Sequence, residues 1–218
     1  MKKFAVALLL GLLSAPVMAG PAPVIPSDVV TVGTVNGASG GTVDVPVFIR
    51  DVSGTPLGID QPFGSRIQSY AITVNYSPAS SVQAITFTRA GITQPLTPAF
   101  ESSPSSAGSV TLIDTFQETT NLIPFVSNAA APGNQIGVLH VTISPAAPLN
   151  STITLTLDST LTQLSNQAGT VKETVTLANL TLINGAINVI TSVPAMSTWV
   201  LLLLAGAIAI TAVVMQRR

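Results

Sequence analysis

Alternation of apolar and polar side chains runs through the middle of the chain. Val43, Val45, Val47 and Ile49 fall on one side of an extended run, with Thr42, Asp44, Pro46 and Arg50 on the other. Tyr70, Ile72, Val74 and Tyr76 alternate in the same way with Ala71, Thr73 and Asn75. Leu139, Val141 and Ile143 alternate with Val138, His140 and Thr142, and Ile153, Leu155 and Leu157 with Thr152, Thr154, Thr156 and Asp158. Residues two apart share a face of a strand, so this spacing describes strands with one buried and one wetted face. Further strands are expected over residues 29–35, 82–88, 109–116, 175–182 and 186–190. Turn signals separate them at Asn36-Gly37, Gly40-Gly41, Ser77-Pro78, Pro132-Gly133 and Asn184-Gly185. No segment between the termini carries helical periodicity. The expectation is an all-β, two-sheet antiparallel jelly-roll sandwich of about nine strands over residues 29–190.

The two ends follow other rules. Residues 1–19, MKKFAVALLLGLLSAPVMA, have Lys2 and Lys3 ahead of a short apolar run, and small residues at Val17 and Ala19. That order is a secretory signal cut between Ala19 and Gly20, and the run is too short to span a bilayer. Residues 20–28 carry three prolines and read as a linker. At the other end, residues 199–215 hold no charge, Trp199 stands at the start, and Arg217 and Arg218 close the chain. Seventeen helical residues span roughly 25 Å, enough for one short transmembrane helix. Positive residues stay cytoplasmic, so the basic tail 216–218 faces in and the domain faces out across the inner membrane.

The residues just before that span carry a motif. Val193, Pro194, Ala195, Met196, Ser197 and Trp199, within 191–198, stand where a bacterial IPTL-CTERM signal has Ile-Pro-Thr-Leu-Ser-x-Trp, followed by its helix and basic cluster. The tail resembles that sorting signal, with Val, Ala and Met departing from the pattern. It resembles the related PEP-CTERM signal less, because the Glu-Pro pair is missing. The resemblance implies a membrane-embedded sorting protease of the exosortase kind as a partner, with delivery to the cell surface or the exterior.

Composition narrows the chemistry. Only 8% of the 218 residues are charged, against about 25% in an average soluble domain, and there is no Cys and one His. Without clustered Lys and Arg the chain is not built for nucleic acid. Without Cys it has neither disulfides nor thiolate metal sites. Residues 20–198 hold four Arg and Lys against nine Asp and Glu, so the exported part is mildly acidic. His140 lies on the outer face of its strand with no partner evident, and no Gly-x-Ser-x-Gly or Ser-x-x-Lys motif occurs. The nearest acidic pairs for glycoside hydrolysis are Asp51 with Asp60 and Asp114 with Glu118, which read as solvated surface charges. Asp51 and Asp60 sit in a Gly- and Pro-rich loop that could supply oxygens to an ion, but no Asp-x-Asp-x-Asp-Gly run exists. No catalytic residue, cofactor or metal ligand is nominated, and an enzyme is not expected.

A second resemblance covers residues 29–189. Thr31-Val32-Gly33-Thr34-Val35 followed by Gly40-Gly41-Thr42-Val43-Asp44-Val45-Pro46-Val47 is similar to the opening of a cohesin domain. Ile67-Gln68-Ser69-Tyr70 through Tyr76-Ser77-Pro78 resembles the family's Ile-x-Ser segment ending in Tyr-Asp-Pro, with Ser77 in place of Asp. Gly137-Val138-Leu139 and Asn184-Gly185-Ala186-Ile187-Asn188-Val189 match two later strands. The resemblance implies a nine-stranded jelly roll related to carbohydrate-binding modules, which binds a dockerin-bearing protein or a polysaccharide without catalysis. Aromatics that could stack on sugar are few: Tyr70, Tyr76, Phe48, Phe63, Phe87, Phe100, Phe116 and Phe125. The alternative is a structural protein of the surface or exopolysaccharide matrix.

Overall fold

The structure is a computed structural model that describes residues 26–191. The signal segment with Ala19 and Gly20, most of the 20–28 linker, the sorting motif, the apolar span 199–215 and Arg217 and Arg218 lie outside the described residues. Among the described residues no helix is long and apolar enough to cross a membrane.

The chain runs through β1 (Asp28–Val32), β2 (Thr34–Ala38), β3 (Thr42–Arg50), β4 (Ser69–Ser77) and β5 (Val82–Arg89). It continues through β6 (Phe100–Ser102), β7 (Ser105–Ser106), β8 (Ser109–Thr115), β9 (Asn134–Ile143) and β10 (Thr152–Leu157). The last strands are β11 (Gln163–Ser165), β12 (Lys172–Glu173), β13 (Leu180–Ile183) and β14 (Gly185–Ile190). One sheet has the order β13-β1-β3-β9-β5; the other runs β12-β11-β4-β10-β14-β2, with β8 on the far edge of β4 and β6 and β7 beyond it.

The inner faces are those the alternation names. Val45, Val47 and Ile49, Tyr70, Ile72 and Val74, Leu139, Val141 and Ile143, and Ile153, Leu155 and Leu157 are all buried in one core. A layer of this kind forms because each strand has a single apolar face to remove from water, and only the opposing sheet can cover it.

Four expectations change. Fourteen strands replace about nine, because the short β6, β7, β11 and β12 lie in segments too brief to show a period. The sheets are mixed rather than antiparallel: β1 pairs parallel with β13, and β2 with β14. Residues 175–178 form turns, so the strand expected over 175–182 is limited to Leu180–Ile183. Asn36-Gly37 lies inside β2 rather than in a turn, with Gly37 opposite Val189. Two single turns of 3-10 helix, Ala79–Ser81 and Gly91–Thr93, join strands.

The parallel pairs arise from one device. β1 and β2 are a single extended run broken at Gly33, and β13 and β14 break at the same level, so both ends of the domain cross together from one sheet to the other. Backbone approaches backbone closely at this crossing. A Cβ on Gly185 would lie 2.1 Å from the Gly33 carbonyl oxygen and 2.7 Å from that of Val32, which only glycine avoids.

Because β1 starts beside β13 while β14 ends beside the end of β2, the described chain enters at one end of the sandwich and leaves at the other. The entry end carries the long connections 51–68, 90–99, 116–133 and 166–179. The exit end carries the tight ones at 39–41, 78–81 and 107–108, together with 144–151.

Candidate functional site

Two surfaces have the make-up of a site, and the larger is the outer face of the second sheet. Residues on β4 (Ser69, Ala71, Asn75), β8 (Thr111, Ile113, Thr115), β10 (Thr152, Thr154, Thr156) and β6 (Phe100, Ser102) share this face through their registers. None of these positions is charged. Hydroxyls tie the strands together: Thr73 and Thr111 are 2.9 Å apart, Ser69 and Thr115 2.8 Å, and Thr154 donates to the Ser77 carbonyl at 3.2 Å. Cross-strand pairs of this kind stabilise the sheet; the charges at this face are Asp158, which accepts from Asn75 Nδ2 at 3.2 Å, and Lys172, in register with Ser165 and Ser69. At its margin Phe100 is 55% exposed, an aromatic on an otherwise hydroxyl-rich plane.

Of the other candidate aromatics, Tyr70, Phe87 and Phe116 are wholly buried and Phe125 nearly so. Phe63 is 65% exposed but sits in the 51–68 loop, away from the hydroxyl-rich face. Tyr76 and Phe48 are partly covered.

His140 occupies the outer face of the first sheet, as alternation requires. Its partners come from neighbouring strands. Nδ1 lies 2.6 Å from Asp44 Oδ1, and Nε2 lies 3.0 Å from Thr88 Oγ1. The connectivity is that of a hydroxyl–imidazole–carboxylate relay, which sequence alone did not assemble because Asp44, Thr88 and His140 meet only through the β3–β9–β5 registers. Such a relay acts on a substrate only beside an oxyanion site. Thr88 lies within the β5–β9 ladder, where main-chain N–H groups pair with the neighbouring strand. The pair is exposed, which makes it a surface tie.

The second surface is the long-loop end, and here the reading of the acidic residues is overturned. Asp51, Asp114 and Glu118 are buried rather than solvated, and so are Asp28 and Glu173. Asp114 and Glu118 do not form a pair. Asp114 Oδ2 accepts from the Tyr70 hydroxyl at 2.7 Å, whereas Glu118 Oε2 accepts from the Gly64 N–H at 2.9 Å and Glu118 Oε1 faces Arg66 at 3.8 Å. Asp114 is pushed up to about 6, mainly by burial; the Tyr70 hydrogen bond opposes the shift and the Glu101 charge adds to it.

Asp28, Asp51 and Glu173 tie the 51–68 loop to the ends of β1 and β12. Val52 N–H donates to Asp28 Oδ1 at 2.7 Å, Leu57 N–H to Glu173 Oε1 at 2.9 Å, and Ile59 N–H to Asp51 Oδ2 at 2.8 Å. Asp28 is pushed up to about 9, first by burial and then by its hydrogen bond to Glu173 and that neighbour's charge. Burial raises Glu173 as well, while its hydrogen bond from Asp28 opposes that rise. Burial and mutual repulsion thus both act against ionising these two neighbouring carboxyls together. Asp51 is wholly enclosed, so no sugar ring reaches it, and the Asp51–Asp60 pair is not a glycosidase dyad.

No protein-family model matches the chain, and no curated protein matches it. Solved structures do. The third cohesin of ScaC from Acetivibrio cellulolyticus, solved with the ScaB dockerin, superposes with a TM-score of 0.55 at 17% identity, over 75% of this chain and 99% of that one. The fold is the cohesin jelly roll. A second cohesin, CaCohA2 of Clostridium acetobutylicum, superposes at 0.52 and 21% identity, with 75% and 99% covered. The OlpC cohesin of Clostridium thermocellum, solved with the Doc435 dockerin, superposes at 0.53 and 14%, with 79% and 99% covered. The cohesin fold thus spans nearly the whole described region, and the sandwich expected from the sequence is correct in class.

Proposed function

We propose that this chain is an exported, non-catalytic binding module of cohesin type whose contact surface is the outer face of the β4–β8–β10 sheet. The observation that carries the reading is the sparsely charged, hydroxyl-rich sheet face with Phe100 at its edge. Hydroxyls cost less to dehydrate than charges do, and ordered strands lose little conformational entropy on docking. The resemblance to cohesins favours a dockerin-bearing protein over a polysaccharide, because half of the aromatics able to stack on sugars are buried and two more are partly covered. The alternative, a structural matrix protein, rests on the same low charge and Thr-rich surface.

The test is a binding assay of the purified full chain against cell-surface proteins and polysaccharides. Thr154→Arg places a charge on the exposed plane and leaves the core untouched. Saturable one-to-one binding that falls at least tenfold in this variant, with unfolding unchanged, supports the module. Absence of any partner, together with a weakened matrix when the gene is deleted, supports the structural alternative.

The termini complete the proposal. The signal 1–19 exports the chain, and Val193, Pro194, Ala195, Met196, Ser197 and Trp199 present it to an exosortase-like protease while residues 199–215 hold it in the inner membrane. The mass of the mature protein tests this: removal of Arg217 and Arg218 is expected, and an intact Arg pair refutes processing.

A further inference from the structure

We propose that the loop holding Asp51 and Asp60 binds a divalent cation of the calcium class, with Asp51 Oδ1 and Asp60 Oδ1 as its two carboxylate ligands. The site lies at the long-loop end and is independent of the proposed binding face. Each carboxylate uses one oxygen to hold the loop: Asp51 Oδ2 accepts from Ile59 N–H at 2.8 Å, and Asp60 Oδ2 accepts from Gly54 N–H at 3.2 Å. Each leaves its other oxygen beside the Gly58 backbone. Both Oδ1 atoms lie 2.7 Å from the point a Cβ on Gly58 would occupy, so they are at most about 5.4 Å apart. Gly58 has φ +150, a conformation that side chains rarely adopt, and its bareness leaves that space to the two oxygens.

The arrangement asks for positive charge. Asp51 is 0% exposed and its Oδ1 has no hydrogen-bond partner. Two carboxylates this close repel each other, and more strongly where water is excluded. The ion pairs among the described residues, Arg66 with Glu118, Arg89 with Glu101 and His140 with Asp44, engage neither of them. A hard cation with oxygen ligands at about 2.3–2.6 Å neutralises both and satisfies the orphaned oxygen.

Among the described residues no three His, Cys, Asp or Glu side chains gather as a metal cage. Two carboxylates are the charged ligands of the proposed site, and main-chain carbonyls and water would have to supply the rest. That ligand charge suits the weak affinity of extracellular modules, about 10⁻⁴–10⁻³ M. The ion would clamp the 51–68 loop against the end of β3.

Thermal unfolding of the purified full chain with chelator and with added calcium is the test, with titration calorimetry alongside. At about ten times Kd, calcium is expected to raise Tm by about 3–6 °C. Asp60→Asn, at an exposed residue, keeps the fold and the shape of the side chain and is expected to abolish the shift. Glu101→Gln, an exposed acid on β6, is expected to retain it. Unchanged Tm and no heat of binding at about 10 mM calcium, well above that affinity range, would overturn the proposal. So would an undiminished shift in Asp60→Asn.

Discussion

At the scale of single residues, Asp114 and Tyr70 contribute, beside Asp28, Asp51 and Glu173, to how the core responds to pH. Tyr70 is fully buried, and its hydroxyl reaches Asp114 Oδ2 at 2.7 Å, while Asp114 Oδ1 has no partner. Around them lie Glu101, opposite Asp114 on β6, and Arg89, which pairs with Glu101 at 3.0 Å and lies 6.0 Å from the Phe116 ring centre. Because burial raises the folded pKa of Asp114 from 3.8 to about 6, the folded state binds more protons than the unfolded state between those values. Stability therefore falls as pH rises through that window, by at most about 1.4 kcal/mol per pH unit. Urea unfolding between pH 4 and 7 should show this slope reduced in Asp114→Asn; an identical slope in the variant would rule out Asp114 as its source. Tyr70→Phe removes the donor and leaves the carboxyl oxygen unpaired, so a loss of about 1–3 kcal/mol at pH 7 is expected in the same measurement.

At the scale of elements, the paired crossing of β1–β2 and β13–β14 holds the two sheets in register. It joins the first and last strands of the domain in parallel, contacts that no local segment provides. Gly185 is its tightest point. Gly185→Ala would drive a methyl group into two main-chain carbonyls, and a loss of about 2 kcal/mol or more in denaturant unfolding is expected. Gly169, with open space around its Cβ position but φ +69, is the comparison: Gly169→Ala suffers backbone strain alone and is expected to cost about 1 kcal/mol. Similar losses at both positions would mean that the crossing has room to relax.

For the whole molecule, polarity is the organising property. The loops that gather the buried acids lie at the entry end, while β14 delivers the chain to the opposite end. If residues 199–215 hold the chain in a bilayer as proposed, the long loops are expected to point outward and the connection 144–151 to lie nearest the membrane. The chain contains no native Cys, so single-cysteine labels report this directly. In vesicle-reconstituted full chain, a fluorophore on Ala146→Cys should be quenched by headgroup quenchers, and one on Ala130→Cys should not. Equal quenching would contradict the orientation.

Alternation was sufficient to name the inward residues of β3, β4, β9 and β10, because a period of two is a local property of an extended chain. The hydroxyl-rich outer face was legible for the same reason, since Thr and Ser occupy the intervening positions. The break at Gly33, the parallel closure and the short β6, β7, β11 and β12 were not, because pairing partners are chosen by long-range packing. The buried acids belong to the same class. Asp28 and Glu173 come from opposite ends of the described chain, and a carboxylate has no local signature of burial. Sequence by itself determined which side of each strand meets water. Only the assembled sandwich decided which charges it enclosed, because desolvation depends on every layer that covers a group rather than on its neighbours in the chain.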